Sequence, residues 1–196
     1  MSKGRLEAFS DGVLAIVITI MVLELKAPHD GRWESLRPVV PVFISYVLSF
    51  VYVGVYWNNH HHLFQATRFV DGRVLWANLH LLFWLSLIPF VTSWVGDSQF
   101  SGLPVAAYGF VLFCAAVAYT ILVRLLLAAN GPDSLLTKAI GSDFKGKSSM
   151  AIYAVGVAVS FWNPLVAYGL YLFVALVWLF PDRRIERLLV DGRQSS

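Results

Sequence analysis

A chain of 196 residues that is 58% hydrophobic and 15% aromatic, with only 14% charged residues and a mean hydropathy of +0.66, is too apolar for a water-soluble domain. It reads as an all-α, polytopic membrane protein. The formal net charge of +3 sits in connecting segments without a basic run on an ordered surface, which argues against nucleic acid as a partner, and the single Cys114 leaves no internal disulfide and no thiolate metal site.

The first element runs from Arg5 to Leu25, 21 residues or about 31 Å at roughly 1.5 Å per residue, enough to cross a hydrocarbon core of about 30 Å. It is too long for a cleavable signal, carries Asp11 inside its start and lacks a small-residue cleavage pattern before Lys26, so it reads as a span. On a wheel of about 100° per residue and relative to Ile16, Leu23 falls at about −20°, Ile20 at about +40°, Thr19 at about −60° and Gly12 at about −40°. Ser10, at about +120°, and Asp11, at about −140°, take the opposite side. One face is thus aliphatic with a single hydroxyl, and the other carries a hydroxyl and a carboxylate. An acid and an arginine at the head of a membrane helix are costly, which makes them functional by default. Ile16, Ile20 and Leu23, taken alone, are compatible with ordinary bundle or lipid contacts.

A polar turn, Lys26 to Arg37, precedes a second apolar stretch over residues 39–57, with Pro38 and Pro41 in its first turn, where proline is tolerated. Asn58 to Arg73 reads as a histidine-rich, basic connection. Residues 74–95 form a third span carrying Asn78, His80 and Pro89, and residues 103–129 a fourth, with Arg124 placed to snorkel. Residues 148–162 and 165–180 are shorter spans separated by the tight turn Asn163-Pro164. Six helices in one domain, 1–196, result. With the amino terminus inside, 12 of 15 basic residues (Lys3, Arg5, Arg68, Arg73, Arg124, Lys138, Lys145, Lys147, Arg183, Arg184, Arg187 and Arg193) fall on the inner side, and Lys26, Arg32 and Arg37 fall outside. That asymmetry predicts an inner (plasma) membrane protein with both termini cytoplasmic. The two halves show no internal repeat of the kind that marks an inverted-repeat transporter.

The run His60-His61-His62 invites a metal reading. Neighbouring positions on a helix point about 100° apart, so three consecutive imidazoles cannot close on one ion, and no acid or thiol at helical spacing joins them. No metal site is expected. Hydrogen bonding to a buried group suits them better, with His60 best placed to reach the face of Ser10 and Asp11. Asn78 and His80 need partners inside the protein, because lipid offers none. There is no Ser-His-Asp order, no phosphate-cradling glycine loop and no HExxH, so no enzyme and no cofactor are expected.

Arg5-x-x-x-Phe9-Ser10-Asp11 on a first membrane helix resembles the signature of the lysosomal potassium channel family called transmembrane protein 175, in its bacterial single-repeat form. Trp57-x-x-His60-His61-x-Leu63-Phe64, Trp76-x-Asn78, Pro89-Phe90 and Trp162-Asn163-Pro164 extend the likeness in order. The resemblance implies a homotetramer of six-helix subunits, with the first helix lining a central potassium pore and no selectivity-filter loop. It implies a constriction at Ile16, Ile20 and Leu23 with Thr19 as its hydroxyl-bearing neighbour. It also implies a network of Arg5, Phe9, Ser10 and Asp11 with histidine, asparagine or tryptophan side chains, here His60, Asn78 and His80. The permeant species is then a potassium ion, and the partners are lipid and further copies of the chain. The competing reading is a proton-coupled or cation transporter that relays through Asp11 and the histidines.

Overall fold

In a computed structural model, which describes residues 2–28, 30–132, 134, 136–137 and 144–179, every regular element is helical. These are α1 (Lys3–Leu23), a short 3-10 turn (Trp33–Leu36), α2 (Val39–Gln65), α3 (Gly72–Ser86), α4 (Ile88–Asp97), α5 (Gly102–Asn130), α6 (Phe144–Val159) and α7 (Pro164–Leu179). By length and composition, α1, α2, α3 with α4, and α5 can each cross a bilayer, whereas α7 is apolar but has 16 residues and α6 also has 16. Phe180, read as the end of the last helix, and Lys138, Arg183, Arg184, Arg187 and Arg193, counted in the orientation, lie outside the described residues.

Two boundaries depart from the sequence reading. The second helix does not end at Trp57 but continues to Gln65. The polarity of Asn58 to His62 ends the apolar stretch without breaking the helix: His61 Nε2 lies 2.7 Å from Gln65 Nε2, one turn on, and Thr67 Oγ1 closes the end on the Leu63 carbonyl at 2.8 Å. The third span is two helices. Pro89 is the second residue of α4; it has no N–H to continue the ladder and its ring would meet the carbonyl of Leu85, so the chain breaks at Leu87.

Asp71 caps α3, its carboxylate accepting the Val74 N–H at 2.9 Å. Replacing Asp71 with alanine is expected to cost about 1 kcal/mol and to show as earlier thermal unfolding in detergent.

Lipid is as apolar as leucine, so close packing rather than hydrophobic burial must hold the helices together. α5 is the central post, touching α3, α4, α6 and α7, with Tyr108, Ala115, Ala118 and Leu122 fully buried on it. Gly109 of α5 and Gly156 of α6 leave the slot that the Tyr171 ring of α7 fills; a Cβ at either would collide with that ring. Gly96 brings α4 against α2, where a Cβ would lie 2.6 Å from Val42 Cα. Around this core α1 occupies a rim position, packed on α2, α3 and α4 through Leu6, Ser10, Leu14, Val17 and Met21. Its other face meets nothing among the described residues.

Candidate functional site

The unpartnered face of α1 is the aliphatic stripe. Ile16 is 59% exposed, Ile20 43% and Leu23 77%, with Gly12, Ala15 and Thr19 exposed between them. Thr19 Oγ1 donates to the Ile16 carbonyl at 2.9 Å, which ties up its proton and leaves the oxygen lone pairs facing outward. At the carboxyl end of the stripe an open groove of about 610 Å³ is lined by Ile20, Glu24, Pro89, Phe90, Trp94 and Asp97.

Behind the stripe a buried polar chain joins three helices. Asn78 of α3 donates through Nδ2 to Ser10 Oγ of α1 at 2.9 Å, and Ser10 Oγ donates in turn to the Leu6 carbonyl at 2.9 Å. Because the Ser10 proton is committed to Leu6, Ser10 can only accept from Asn78, which leaves Asn78 Oδ1 for His60 of α2 at 2.8 Å. His60 must therefore donate from Nε2, and the amide orientation and the imidazole tautomer follow from one serine. Ser10 and Asn78 are fully buried and His60 is 2% exposed, so no water substitutes for these partners.

The expected network thus assembles in part. Ser10, His60 and Asn78 meet. Asp11 does not share the buried side with Ser10: it is exposed and accepts from Trp57 Nε1 at 3.0 Å. Ser10 and Asp11 are neighbours, about 100° apart, so one can point into the subunit only if the other points along its edge. Arg5 and Phe9 are exposed on the stripe side, and His80 is exposed on α3, accepting from Trp84 Nε1 at 2.9 Å. The three histidines point three ways: His60 into the buried chain, His61 stacked on Trp57 at 5.9 Å between rings, and His62 with a buried Nδ1 that has no partner among the described residues.

Two attachments were invisible in the sequence. Lys3 Nζ donates to the Thr67 carbonyl at 2.9 Å, tying the start of α1 to the α2–α3 linker. Asn130, at the end of α5, accepts from the Arg68 and Phe69 amides at 2.9 and 3.0 Å and so clamps the same linker. Both use main-chain acceptors or donors, which no residue pattern announces. Replacing Trp57 with phenylalanine keeps the ring over His61 but removes the Asp11 bond; an expected loss of about 1 kcal/mol would show in thermal unfolding, with Trp57→Leu worse.

Against known proteins, residues 5–89 match the family model described as the endosomal/lysosomal potassium channel TMEM175, a span that takes in the stripe, the buried chain and the break at Leu87. The chain is 58% identical over 192 residues, 98% of its own length and 100% of the relative's, to a potassium channel of Chryseobacterium sp. strain P1-3. It is 27% identical over 135 residues to the endosomal/lysosomal proton channel TMEM175 of Danio rerio, covering 66% of this chain and 25% of that one. The crystal structure of a lysosomal potassium-selective channel TMEM175 homolog from Chamaesiphon minutus superposes with a TM-score of 0.80 at 27% identity, over 90% of this chain and 96% of that one. A first helix with one face locked to its own subunit and the other left open, joined to these likenesses in sequence and fold, places the chain in the TMEM175 family.

Proposed function

We propose that this chain is a potassium channel of the plasma membrane, built as a homotetramer of six-helix subunits with both termini cytoplasmic and α1 lining a central pore. The observation that carries the reading is the split character of α1: Leu6, Ser10, Leu14, Val17 and Met21 are bound into the subunit, whereas Ile16, Thr19, Ile20 and Leu23 form an exposed stripe. The similarity to a protein named as a potassium channel supports it.

Four such stripes around one axis would make rings of isoleucine and leucine. The sequence holds no Thr-Val-Gly-Tyr-Gly loop, so a permeating ion would meet apolar rings instead of a carbonyl cage. It would have to shed part of its water there. Potassium holds its water less tightly than sodium, so its barrier is lower, and discrimination should be modest beside that of a carbonyl filter. Thr19, with its proton held by Ile16, offers an acceptor oxygen one turn from Leu23 and next to Ile20, where hydration is thinnest.

The test is potassium flux into liposomes of purified protein. Flux that rises linearly with potassium supports the channel. No flux, or saturable flux that is lost in Asp11→Asn and depends steeply on pH, rejects it, the latter in favour of a proton-coupled carrier. That second reading has two observations behind it: vertebrate relatives are named proton channels, and Asp11 is an exposed carboxylate on α1.

A further inference from the structure

We propose that Arg5 places a ring of positive charge at the amino-terminal mouth of the pore, so that potassium enters more slowly from that end than from the other and conduction rectifies. The inference rests on the reading of α1 as the pore helix.

Two observations put Arg5 there. On a wheel of about 100° per residue, Arg5 falls about 20° to one side of Ile16 and Phe9 about 20° to the other, so the stripe through Gly12, Ile16, Ile20 and Leu23 continues down to Arg5. Exposure follows the same line, with Phe9 50% exposed and Arg5 exposed below it. The acids of that end lie elsewhere. Asp11 is about 120° from Arg5 around the helix and is engaged by Trp57, and Glu7 is about 160° away on the packed side. Among the described residues the Arg5 side chain makes no hydrogen bond or ion pair. Lys3 does not share its position, because it is bonded to the Thr67 carbonyl. Arg5 is thus the cation on the stripe itself, with no acid partner among the described residues.

The opposite end of α1 has the opposite sign. Glu24 follows the last turn, and Ser93 Oγ lies 3.2 Å from Glu24 Oε2 and 3.4 Å from Asp97 Oδ2, which holds two carboxylates beside one another at the groove. Guanidinium at one mouth and carboxylate at the other bias cation entry in the same direction, since like charge depletes a permeant ion locally and unlike charge concentrates it. The bias must also fade with salt: the screening length is about 30 Å at 0.01 M and about 3 Å at 1 M.

The test is single-channel recording in symmetric KCl. The wild type is expected to pass currents at equal and opposite voltages that differ by about twofold or more in roughly 0.01 M salt and converge in about 1 M salt. Arg5→Gln should shrink the difference to the part that Glu24 and Asp97 supply, and Arg5→Lys should keep it whole. In a Cys114→Ser background, Arg5→Cys channels treated with a cationic thiosulfonate should regain the full difference, and with an anionic one should lose what remains of it. A ratio unmoved by Arg5→Gln, or by reagents of either sign, overturns the ring and assigns Arg5 to lipid or to an acid of a neighbouring copy. If Ile16→Ala alters selectivity while Arg5→Gln leaves the ratio alone, only the ring falls. If Ile16→Ala is silent as well, the pore reading falls with it.

Discussion

Ile16→Ala channels are expected to lose discrimination between potassium and sodium while conducting more. The cause is the width and dryness of the narrowest ring. A β-branched side chain, 59% exposed on the open face of α1, would stand at the axis four times over, and truncating it widens the passage so that an ion keeps more of its water. Once partial dehydration is no longer forced, the advantage of the more weakly hydrated ion disappears. The permeability ratio from bi-ionic reversal potentials should fall on the order of tenfold, equal to about 1.4 kcal/mol of differential barrier. Ile20→Ala and Leu23→Ala should act in the same direction, and Thr19→Val should lower conductance by removing the outward oxygen. Val155 of α6 is 54% exposed and lies far from α1 in the chain; Val155→Ala is the control and should change nothing. Equal silence at positions 16 and 155 would mean that the stripe faces lipid.

Asn78→Leu should be the most destabilising single change in the buried chain, because it orphans two groups at once. Ser10 loses the donor to its oxygen and His60 loses the acceptor for its Nε2 proton, and both are inaccessible to water. An unsatisfied buried group costs about 1–3 kcal/mol, whereas interhelical hydrogen bonds measured in a bilayer average only about 0.6 kcal/mol, so about 2–4 kcal/mol is expected for the pair. The sharper signature is non-additivity. With both partners made apolar, Ser10→Ala/His60→Phe/Asn78→Leu should be more stable than Asn78→Leu alone, since no donor or acceptor is then left without a partner. Chemical unfolding in detergent reads this directly, and a triple variant that simply sums the three losses would show that the groups do not act as a chain. The same substitutions should disturb conduction even where the protein still folds, because the chain is what sets the rotation of α1 about its own axis. A helix of 3.6 residues per turn that slips by one position turns by about 100°, which would carry Ile16 off the stripe.

The polar chain was half legible in advance. Asn78 and His60 could be named because a membrane helix gives an amide or an imidazole no solvent, so each needs a protein partner. Which partner was not legible. Ser10 and Asp11 sit side by side, and the wheel grouped them on one face; the structure sends Ser10 inward to Asn78 and leaves Asp11 at the edge with Trp57, a separation that depends on where α2 and α3 pack. Arg5, expected within the network, lies on the stripe instead.

By itself the sequence determined that this is a helical membrane protein and which residues make the apolar face of its first helix. These follow from local physics: helix length against bilayer thickness and the angular period of the helix. The sequence also carried the family, through Arg5-x-x-x-Phe9-Ser10-Asp11. Only the tertiary structure decided that α2 continues to Gln65, that Lys3 and Asn130 hold the α2–α3 linker, and which face of α1 is spoken for within the subunit. The last two depend on partners distant in the chain. A histidine looks the same in sequence whether it meets lipid or Asn78, and the packing of α2 and α3 on α1 sets which one it meets.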